Sequence, residues 1–175
     1  DNLFEGEGRY AAVDGAIYQG AWRNGMRNGY GTLHYSDGGV YEGDFRDDDL
    51  MGQGRYRFAD GSVYVGAFSA NLFEGTGTHT AQNGDQYEGS WRSGKRHGRG
   101  TQSYKSGDSY SGDWNEDVQS GQGIYRAAFG DSRACQPVRR FYPPRLPVLV
   151  WREDKGVRCP RELPSCPWPA PLACR

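Results

Sequence analysis

The sequence predicts an all-β fold: an elongated, twisted antiparallel sheet of stacked β-hairpins with a 23-residue period, followed by a Pro/Arg-rich irregular tail. Three observations predict it. Tyr18, Tyr41, Tyr64, Tyr87 and Tyr110 follow one another at intervals of 23 residues without a slip. Each opens the phrase Tyr-x-Gly-x-Trp/Phe, completed by Gly20 and Trp22, Gly43 and Phe45, Gly66 and Phe68, Gly89 and Trp91, and Gly112 and Trp114. That alternation of two is the strand period. The chain also carries 27 glycines in 175 residues, roughly double the usual share of about 7%. Each would cost a helix interior about 1 kcal/mol relative to alanine, which argues against helical architecture.

Taken in order, residues 1–17 read as the back half of a unit, with Gly6-x-Gly8, Tyr10 and the turn pair Asp14-Gly15. The strand that Gly6-Glu7-Gly8 should pair with is missing, so an N-terminally truncated product is expected, preceded by a further repeat, cap or catalytic domain. Repeats 1 to 4 follow as residues 18–40, 41–63, 64–86 and 87–109, and a partial repeat 5 as residues 110–126. In each, the first strand is the Tyr-x-Gly-x-Trp/Phe phrase. The second runs from a glycine pair (Gly29-x-Gly31, Gly52-x-Gly54, Gly75-x-Gly77, Gly98-x-Gly100, Gly121-x-Gly123) through Leu33 and Tyr35, Tyr56 and Phe58, or Gln102 and Tyr104.

The loop inside each unit carries Gly25, Asp48, Asn71, Gly94 or Asp117 at one matching position. All of these tolerate the left-handed region, so a shared backbone bend is expected there. Asp37-Gly38, Asp60-Gly61, Asn83-Gly84 and Ser106-Gly107 predict turns between units. Glycine weakens a strand unless another group must approach the backbone closely. Here it alternates with aromatic residues, so each unit's rings are expected to lie over the glycines of the next. One hairpin cannot bury such a face alone, and stacking of neighbours stabilises the array. At a strand spacing of about 4.8 Å, each repeat advances about 10 Å and the array about 50 Å.

Residues 127–175 are a different material, holding all 9 prolines and all 4 cysteines, whereas 25 of the 27 glycines come earlier. Charge divides at the same place. Residues 1–126 carry 12 Lys+Arg and 18 Asp+Glu, a balance of −6, and the remainder 9 and 4, a balance of +5. Segments such as Pro143-Pro144-Arg145-Leu146-Pro147 and Pro167-Trp168-Pro169-Ala170-Pro171 exclude helix and central strand, and disorder is expected. Pro144-x-x-Pro147 has the spacing of a polyproline ligand but lacks the usual flanking basic residue. Cys135, Cys159, Cys166 and Cys174 offer no Cys-x-x-Cys pair for zinc. With cysteine-free repeats and no signal-type segment, free thiols are expected. The longest apolar run, Leu146 to Trp151, is far short of the roughly 20 residues of a membrane span. A cytoplasmic protein is expected.

The phrases Tyr87-Glu-Gly-Ser-Trp-Arg-Ser-Gly-Lys-Arg-His-Gly-Arg-Gly-Thr101 and Tyr18-Gln-Gly-Ala-Trp-Arg-Asn-Gly-Met-Arg-Asn-Gly-Tyr-Gly-Thr-Leu33 resemble MORN (membrane occupation and recognition nexus) repeats, over residues 1 to about 126. Two units depart from the pattern. Repeat 2 replaces the basic loop with Asp47-Asp48-Asp49, and repeat 3 reads Thr78-His79-Thr80-Ala81 without the second-strand aromatic. Those units are expected to be looser or to carry a different contact. The resemblance implies either a non-catalytic scaffold of cilia, flagella or the cytoskeleton, or an accessory module beside SET methyltransferase or phosphatidylinositol phosphate kinase domains.

No motif here carries chemistry. The glycine pairs lack the third glycine and the helix of a dinucleotide fingerprint, and no Walker sequence occurs. His34, His79 and His97 lie in different repeats, His79 in an inward column where a packed histidine is expected. Asp47-Asp48-Asp49 lacks the alternating ligands of a calcium loop, and there is no Gly-x-Ser-x-Gly elbow. A non-enzyme without cofactor, metal or nucleic-acid partner is expected.

Two binding readings remain. The aromatic face, Tyr18, Trp22, Tyr41, Phe45, Tyr64, Phe68, Tyr87, Trp91, Tyr110 and Trp114, offers a strip for a protein partner, as a helix or an extended segment. Alternatively, Arg92, Lys95, Arg96 and Arg99, with His97, form a basic loop in repeat 4, echoed by Arg23 and Arg27. Such a loop contacts anionic phospholipid at about 1 kcal/mol per basic residue. Against it stand the balance of −6 and the lack of an amphipathic anchor helix. Open sheet edges invite homodimerisation. Cytoskeletal or ciliary association is expected.

Overall fold

The computed structural model describes residues 3–128 and two further short strands at Pro137–Arg140 and Val148–Trp151. Each Tyr-x-Gly-x-Trp/Phe phrase lies within a seven-residue strand: β2 (Ile17–Arg23), β4 (Val40–Arg46), β6 (Val63–Ser69), β8 (Gln86–Arg92) and β10 (Ser109–Asn115). A nine-residue strand follows each: β3 (Met26–His34), β5 (Asp49–Arg57), β7 (Leu72–Thr80), β9 (Lys95–Ser103) and β11 (Val118–Arg126). β1 (Gly6–Ala11) precedes them, and β12 (Pro137–Arg140) and β13 (Val148–Trp151) follow. Neighbours in sequence are neighbours in one antiparallel sheet, ordered from β1 to β13.

The turn inside each unit has two residues, both at positive φ. Asn24 and Gly25 stand at 52° and 79°, Asp47 and Asp48 at 48° and 72°, and Glu116 and Asp117 at 47° and 69°. This is the type I′ requirement, and its twist matches that of the flanking strands. The loop expected before each glycine pair is therefore strand. A two-residue turn leaves nothing to loop, and the second strand starts at Met26, Asp49, Leu72, Lys95 or Val118. The surplus length is taken up by a bulge. Gly43 pairs with Gly54 but Asp44 with Met51, so Gly52 and Gln53 stand out of register, with Gly52 at φ 61°. The first glycine of the pair is thus a bulge residue.

The second glycine serves contact. It pairs across the strands with the glycine of the Tyr phrase, as Gly43 with Gly54 and Gly66 with Gly77. The Tyr of the same unit lies over that pair; a Cβ on Gly54 would sit 2.6 Å from both Cε2 and Oη of Tyr41. Its hydroxyl donates to the carbonyl three residues on: Tyr18 to Ala21 at 2.9 Å, Tyr41 to Asp44 at 2.9 Å, Tyr64 to Ala67 at 3.0 Å, Tyr87 to Ser90 at 3.0 Å. The tryptophans reach the other way. Trp91 Nε1 donates to Gly77 O at 3.1 Å and Trp114 Nε1 to Gly100 O at 3.2 Å. The expectation that rings cover the next unit's glycines is corrected accordingly: tyrosines cover their own hairpin and tryptophans the preceding one. β2 lies between β1 and β3, so the glycines of β4 are two strands, about 9.6 Å, away.

Each tyrosine ring then takes the next unit's large aromatic edge-on: Tyr18–Phe45 at 5.0 Å, Tyr41–Phe68 at 5.1 Å, Tyr64–Trp91 at 5.3 Å and Tyr87–Trp114 at 5.2 Å. T-shaped pairs contribute about 0.5–1.5 kcal/mol beyond area burial. The departing units carry different contacts. In repeat 3, Phe73 stacks on Tyr64 at 3.7 Å and supplies the ring that His79 does not. In repeat 2, Asp48 holds Arg27 of repeat 1 at 2.9 Å.

Beyond residue 126, β12 pairs with β11 through Ile124↔Arg140 and Tyr125↔Arg139, and β13 pairs with β12. The expectation of an irregular tail is modified at these two segments. Val148-Leu149-Val150-Trp151 has strand-forming composition, and Pro137 stands first in its strand, where proline is tolerated. The four cysteines and the proline-rich segments 143–147 and 160–171 lie outside the described residues.

Candidate functional site

The aromatic residues that the sequence offers for partner binding are mostly interior. The five tyrosines are 0–2% exposed, and Phe45, Phe68, Trp91 and Trp114 are 3–7% exposed. Trp22, beside β1, is half-buried. Burial removes their phenols from ordinary acid–base behaviour: it pushes Tyr87 up to about 12, although Arg96 works against it, and raises Tyr41 and Tyr64 too. The assignment of these nine buried rings to direct partner contact is corrected. They are the floor of the site.

What lies above the floor comes from the second strands. Nine residues after each Tyr, directly opposite the large aromatic, stand Arg27, Leu50, Phe73, Arg96 and Gln119. Fifteen residues after it, opposite the Tyr, stand Leu33, Tyr56, His79, Gln102 and Tyr125. Tyr35, Phe58 and Tyr104 follow two residues later on the same face. Sequence reasoning named Arg27 and Arg96 of the first column only as basic loop residues and missed Leu50, Phe73 and Gln119, because the residue type changes from unit to unit. Of these residues, Phe73, His79, Arg96, Gln102, Tyr104 and Gln119 line a groove of about 900 Å³ across repeats 3 to 5, together with Asp85. A smaller one of about 460 Å³ lies at the first repeat, with Phe4, Tyr10, Trp22, Arg27 and Asp48 in its wall.

Two guanidinium groups are built into these grooves in the same way. Arg27 Nε donates to Asp48 Oδ1 at 2.9 Å and Nη2 to the Asp48 carbonyl at 2.9 Å, with the guanidinium 5.3 Å from the Phe45 ring centre. Arg96 Nε donates to Asp117 Oδ1 at 3.0 Å, Nη2 to the Asp117 carbonyl at 3.1 Å and Nη1 to Gln102 Oε1 at 3.0 Å. It lies 4.4 Å from the Trp114 ring centre, within cation–π range. Partial burial acts to raise the Asp48 carboxyl, but the N–H and guanidinium of Arg27 outweigh it and hold the group below the usual carboxylate range. Where the turn has no carboxylate, the preceding unit supplies one: Ser93 N donates to Glu74 Oε2 at 2.9 Å and Asn24 N to Glu5 Oε1 at 2.8 Å.

This pairing also relocates the basic residues proposed for lipid. Arg92 ends β8, and Lys95, Arg96 and Arg99 lie on β9 rather than on a loop. Lys95 pairs with Glu116 at 3.3 Å, Arg96 with Asp117 at 3.0 Å and Arg99 with Asp113 at 2.7 Å. The acidic turns of repeats 2 and 5 answer the basic strands of repeats 1 and 4. His79 is packed between Phe58 and Trp91, at 6.1 and 6.4 Å. Burial lowers its pKa, opposed by Asp60 and reinforced by Arg96. Among the described residues, no group of three or more His, Cys, Asp or Glu is placed to hold a metal ion, and no helix is long and apolar enough to cross a membrane.

The family model of the MORN repeat matches residues 18–40, 41–63, 64–86, 87–109 and 110–131. Comparison with curated proteins returns no significant match. Among solved structures, the chain is similar to the SAS-4 (dCPAP) TCP domain in complex with a proline-rich motif of Ana2 (dSTIL) of Drosophila melanogaster. That likeness has 11% identity and a TM-score of 0.45, and covers 82% of this chain and 88% of the other.

Proposed function

The chain belongs to the MORN repeat family, and from that premise we propose that it is a non-catalytic scaffold. It holds an extended segment of a protein partner along the strip of half-buried rings on this face, in a cytoskeletal or ciliary assembly. The observation that carries this reading is a strip of touching, partly buried rings that crosses successive repeats: Tyr35–Tyr56 at 5.5 Å, Tyr56–Phe58 at 4.5 Å, Phe58–Phe73 at 6.2 Å and Phe58–His79 at 6.1 Å. The half-buried rings leave contiguous apolar edges at the surface, where interaction sites form, and a path over several units suits a long segment better than a compact ligand. The cytoskeletal or ciliary setting is carried over from MORN proteins without a catalytic domain.

The test uses the full chain as bait. The wild type is expected to retain a partner that the double variant Phe58→Ser, Tyr104→Ser loses, with unchanged circular dichroism. Liposomes containing phosphatidylinositol phosphates are not expected to cosediment the chain at physiological salt, because Lys95, Arg96 and Arg99 already have carboxylate partners. Cosedimentation that disappears when Arg92, Lys95 and Arg96 are all changed to Glu would replace the scaffold with a membrane tether.

A further inference from the structure

Seventeen residues after each repeated Tyr stand Tyr35, Phe58, Ala81, Tyr104 and Ala127, and Ala12 stands one period before the first of them. The backbone is alike whether the residue is a ring or an alanine. Tyr35, Phe58 and Tyr104 each donate their N–H across the turn at 2.9 Å, to the carbonyls of Gly39, Ser62 and Asp108. Ala12 and Ala81 donate theirs at 2.8 Å, to the carbonyls of Ala16 and Asp85. Only the side chain differs. The two grooves follow that difference: Ala12 lines the smaller and Ala81 the larger, whereas Tyr35 and Phe58 line neither.

Where the ring is present, it bridges two units. Tyr35 touches Tyr56 of the next unit at 5.5 Å; Phe58 touches Tyr56 of its own at 4.5 Å and His79 of the next at 6.1 Å. By the same rule, a ring standing over Ala81 would lie against His79 of its own unit and Gln102 of the next, and both line the larger groove. These two neighbours also define the tip of that ring. Gln102 is already engaged, its Oε1 accepting from Arg96 Nη1 at 3.0 Å and its Nε2 donating to Ser103 O at 3.3 Å. The imidazole nitrogens of His79 make no hydrogen bond among the described residues, and neither is sealed from solvent. A phenol adds to the ring one hydroxyl that can donate or accept, so it answers either nitrogen, and a buried tyrosine ordinarily finds such a partner. An aliphatic side chain offers His79 nothing.

We propose that the larger groove is a socket for a tyrosine side chain of a partner protein, its ring seated over Ala81 between His79 and Gln102 and its hydroxyl hydrogen-bonded to the His79 imidazole. This rests on the reading of this face as a partner site. The test titrates N-acetyl-tyrosinamide, N-acetyl-phenylalaninamide and N-acetyl-leucinamide into the full chain and follows the backbone amides of His79, Ala81 and Tyr104 by NMR. Saturable shifts are expected for the tyrosine probe, with binding about tenfold tighter than that of the leucine probe and tighter than that of the phenylalanine probe. Ala81→Tyr supplies the ring from within, on a turn that carries tyrosine natively at Tyr35 and Tyr104. It is expected to keep the wild-type circular dichroism, to abolish the shifts and to release the partner that the wild type retains. Ala81→Leu gives the same readout if the tyrosine variant misfolds. Ala12→Tyr, which fills the other groove, is expected to leave the shifts unchanged.

Equal binding of the leucine probe would reduce the socket to apolar surface and overturn the proposal, and equal binding of the phenylalanine probe would overturn the bond to His79. Shifts that survive both substitutions at Ala81 would put the ring elsewhere and overturn it too. Probe binding that emerges only after Phe141, Tyr142 and Trp168 are changed to Ser would make the chain's own tail the occupant and overturn the assignment to a partner. If no probe binds while Phe58→Ser, Tyr104→Ser still loses its captured protein, the socket falls and the scaffold reading stands. If that double variant loses nothing either, both fall.

Discussion

Gly54→Ala adds one methyl group directly beneath the Tyr41 ring of repeat 2. The new carbon would sit 2.6 Å from Tyr41 Cε2 and Oη and 2.8 Å from Cζ, where ordinary contact begins at 3.4 Å. The ring must retreat by 3.4 − 2.6 = 0.8 Å. It has nowhere to go: Tyr41 is 0% exposed, and Phe45 and Phe68 close on it edge-on, each at 5.1 Å. Its hydroxyl is tied to Asp44 O at 2.9 Å. Overpacking of this kind costs about 1–3 kcal/mol, and loss of the hydroxyl bond with a stranded carbonyl adds about 1 kcal/mol. The total, about 2–4 kcal/mol, lowers the melting temperature by on the order of 10 °C for an array of this size.

Urea denaturation followed by tryptophan fluorescence measures the loss. Gly38→Ala is the control, because nothing lies within 4 Å of that position and only its φ of 94° is disfavoured; it should cost about 1 kcal/mol. In a Tyr41→Leu background the obstructing ring is gone, so Gly54→Ala should add less than about 0.5 kcal/mol. A single variant as stable as wild type, or a cost that adds in full to that of Tyr41→Leu, would refute ring-on-glycine packing as the organising contact.

Trp91→Ala removes the ring that touches Tyr64, Phe73 and Tyr87 and should destabilise repeats 4 and 5 by about 3–5 kcal/mol; unchanged thermal unfolding contradicts this. Asp117→Ala should cost about 1 kcal/mol, small because the carboxylate is 46% exposed and screened. Asp117→Asn should recover most of that, since Asn71 fills the same place natively and accepts Leu50 N at 2.8 Å; an Asn variant as weak as Ala would sink the idea. For His79, burial depresses the folded pKa from 6.5, with Arg96 adding and Asp60 opposing. The folded state then binds fewer protons than the unfolded chain, so this contribution is whole above pH 6.5 and is lost as pH falls below it through the folded value. Between pH 7 and 5 the wild-type melting temperature should fall more steeply than that of His79→Gln, and parallel slopes would exclude the effect.

The hairpins were legible because two signals coincide. Alternation in Tyr-x-Gly-x-Trp/Phe identifies the strand face, and Asp48, Asn71 and Asp117 mark the position that must take positive φ. The bulge was not, since Gly52-x-Gly54 uses glycine twice for different reasons: the first for its φ of 61°, the second for the ring above it. Nothing in the letters separates these uses. The cost was the start of the second strand, and with it the placement of Arg96 on a strand rather than a loop. Extending that strand back to Lys95 puts Arg96 on the face of Gln102 and Tyr104 by alternation alone. The clasp of Asp48 on Arg27 spans 21 residues, and it becomes visible only once the turn of one unit is known to reach the strand start of the unit before.

Within the chain, the tyrosine column repeats without change and is buried, whereas the columns of the second strands that face it vary from unit to unit. The path along the column opposite the large aromatics runs Arg27, Leu50, Phe73, Arg96 and Gln119, so the surface changes chemically at every step while the floor repeats beneath it. A segment shifted by one repeat would meet a different set of rings, because the periodic ladder is buried and Tyr35, Tyr56, Phe58 and Tyr104 above it do not recur in every unit. The periodic floor therefore holds the array together, and the uneven column above it sets where along the array a bound segment comes to rest.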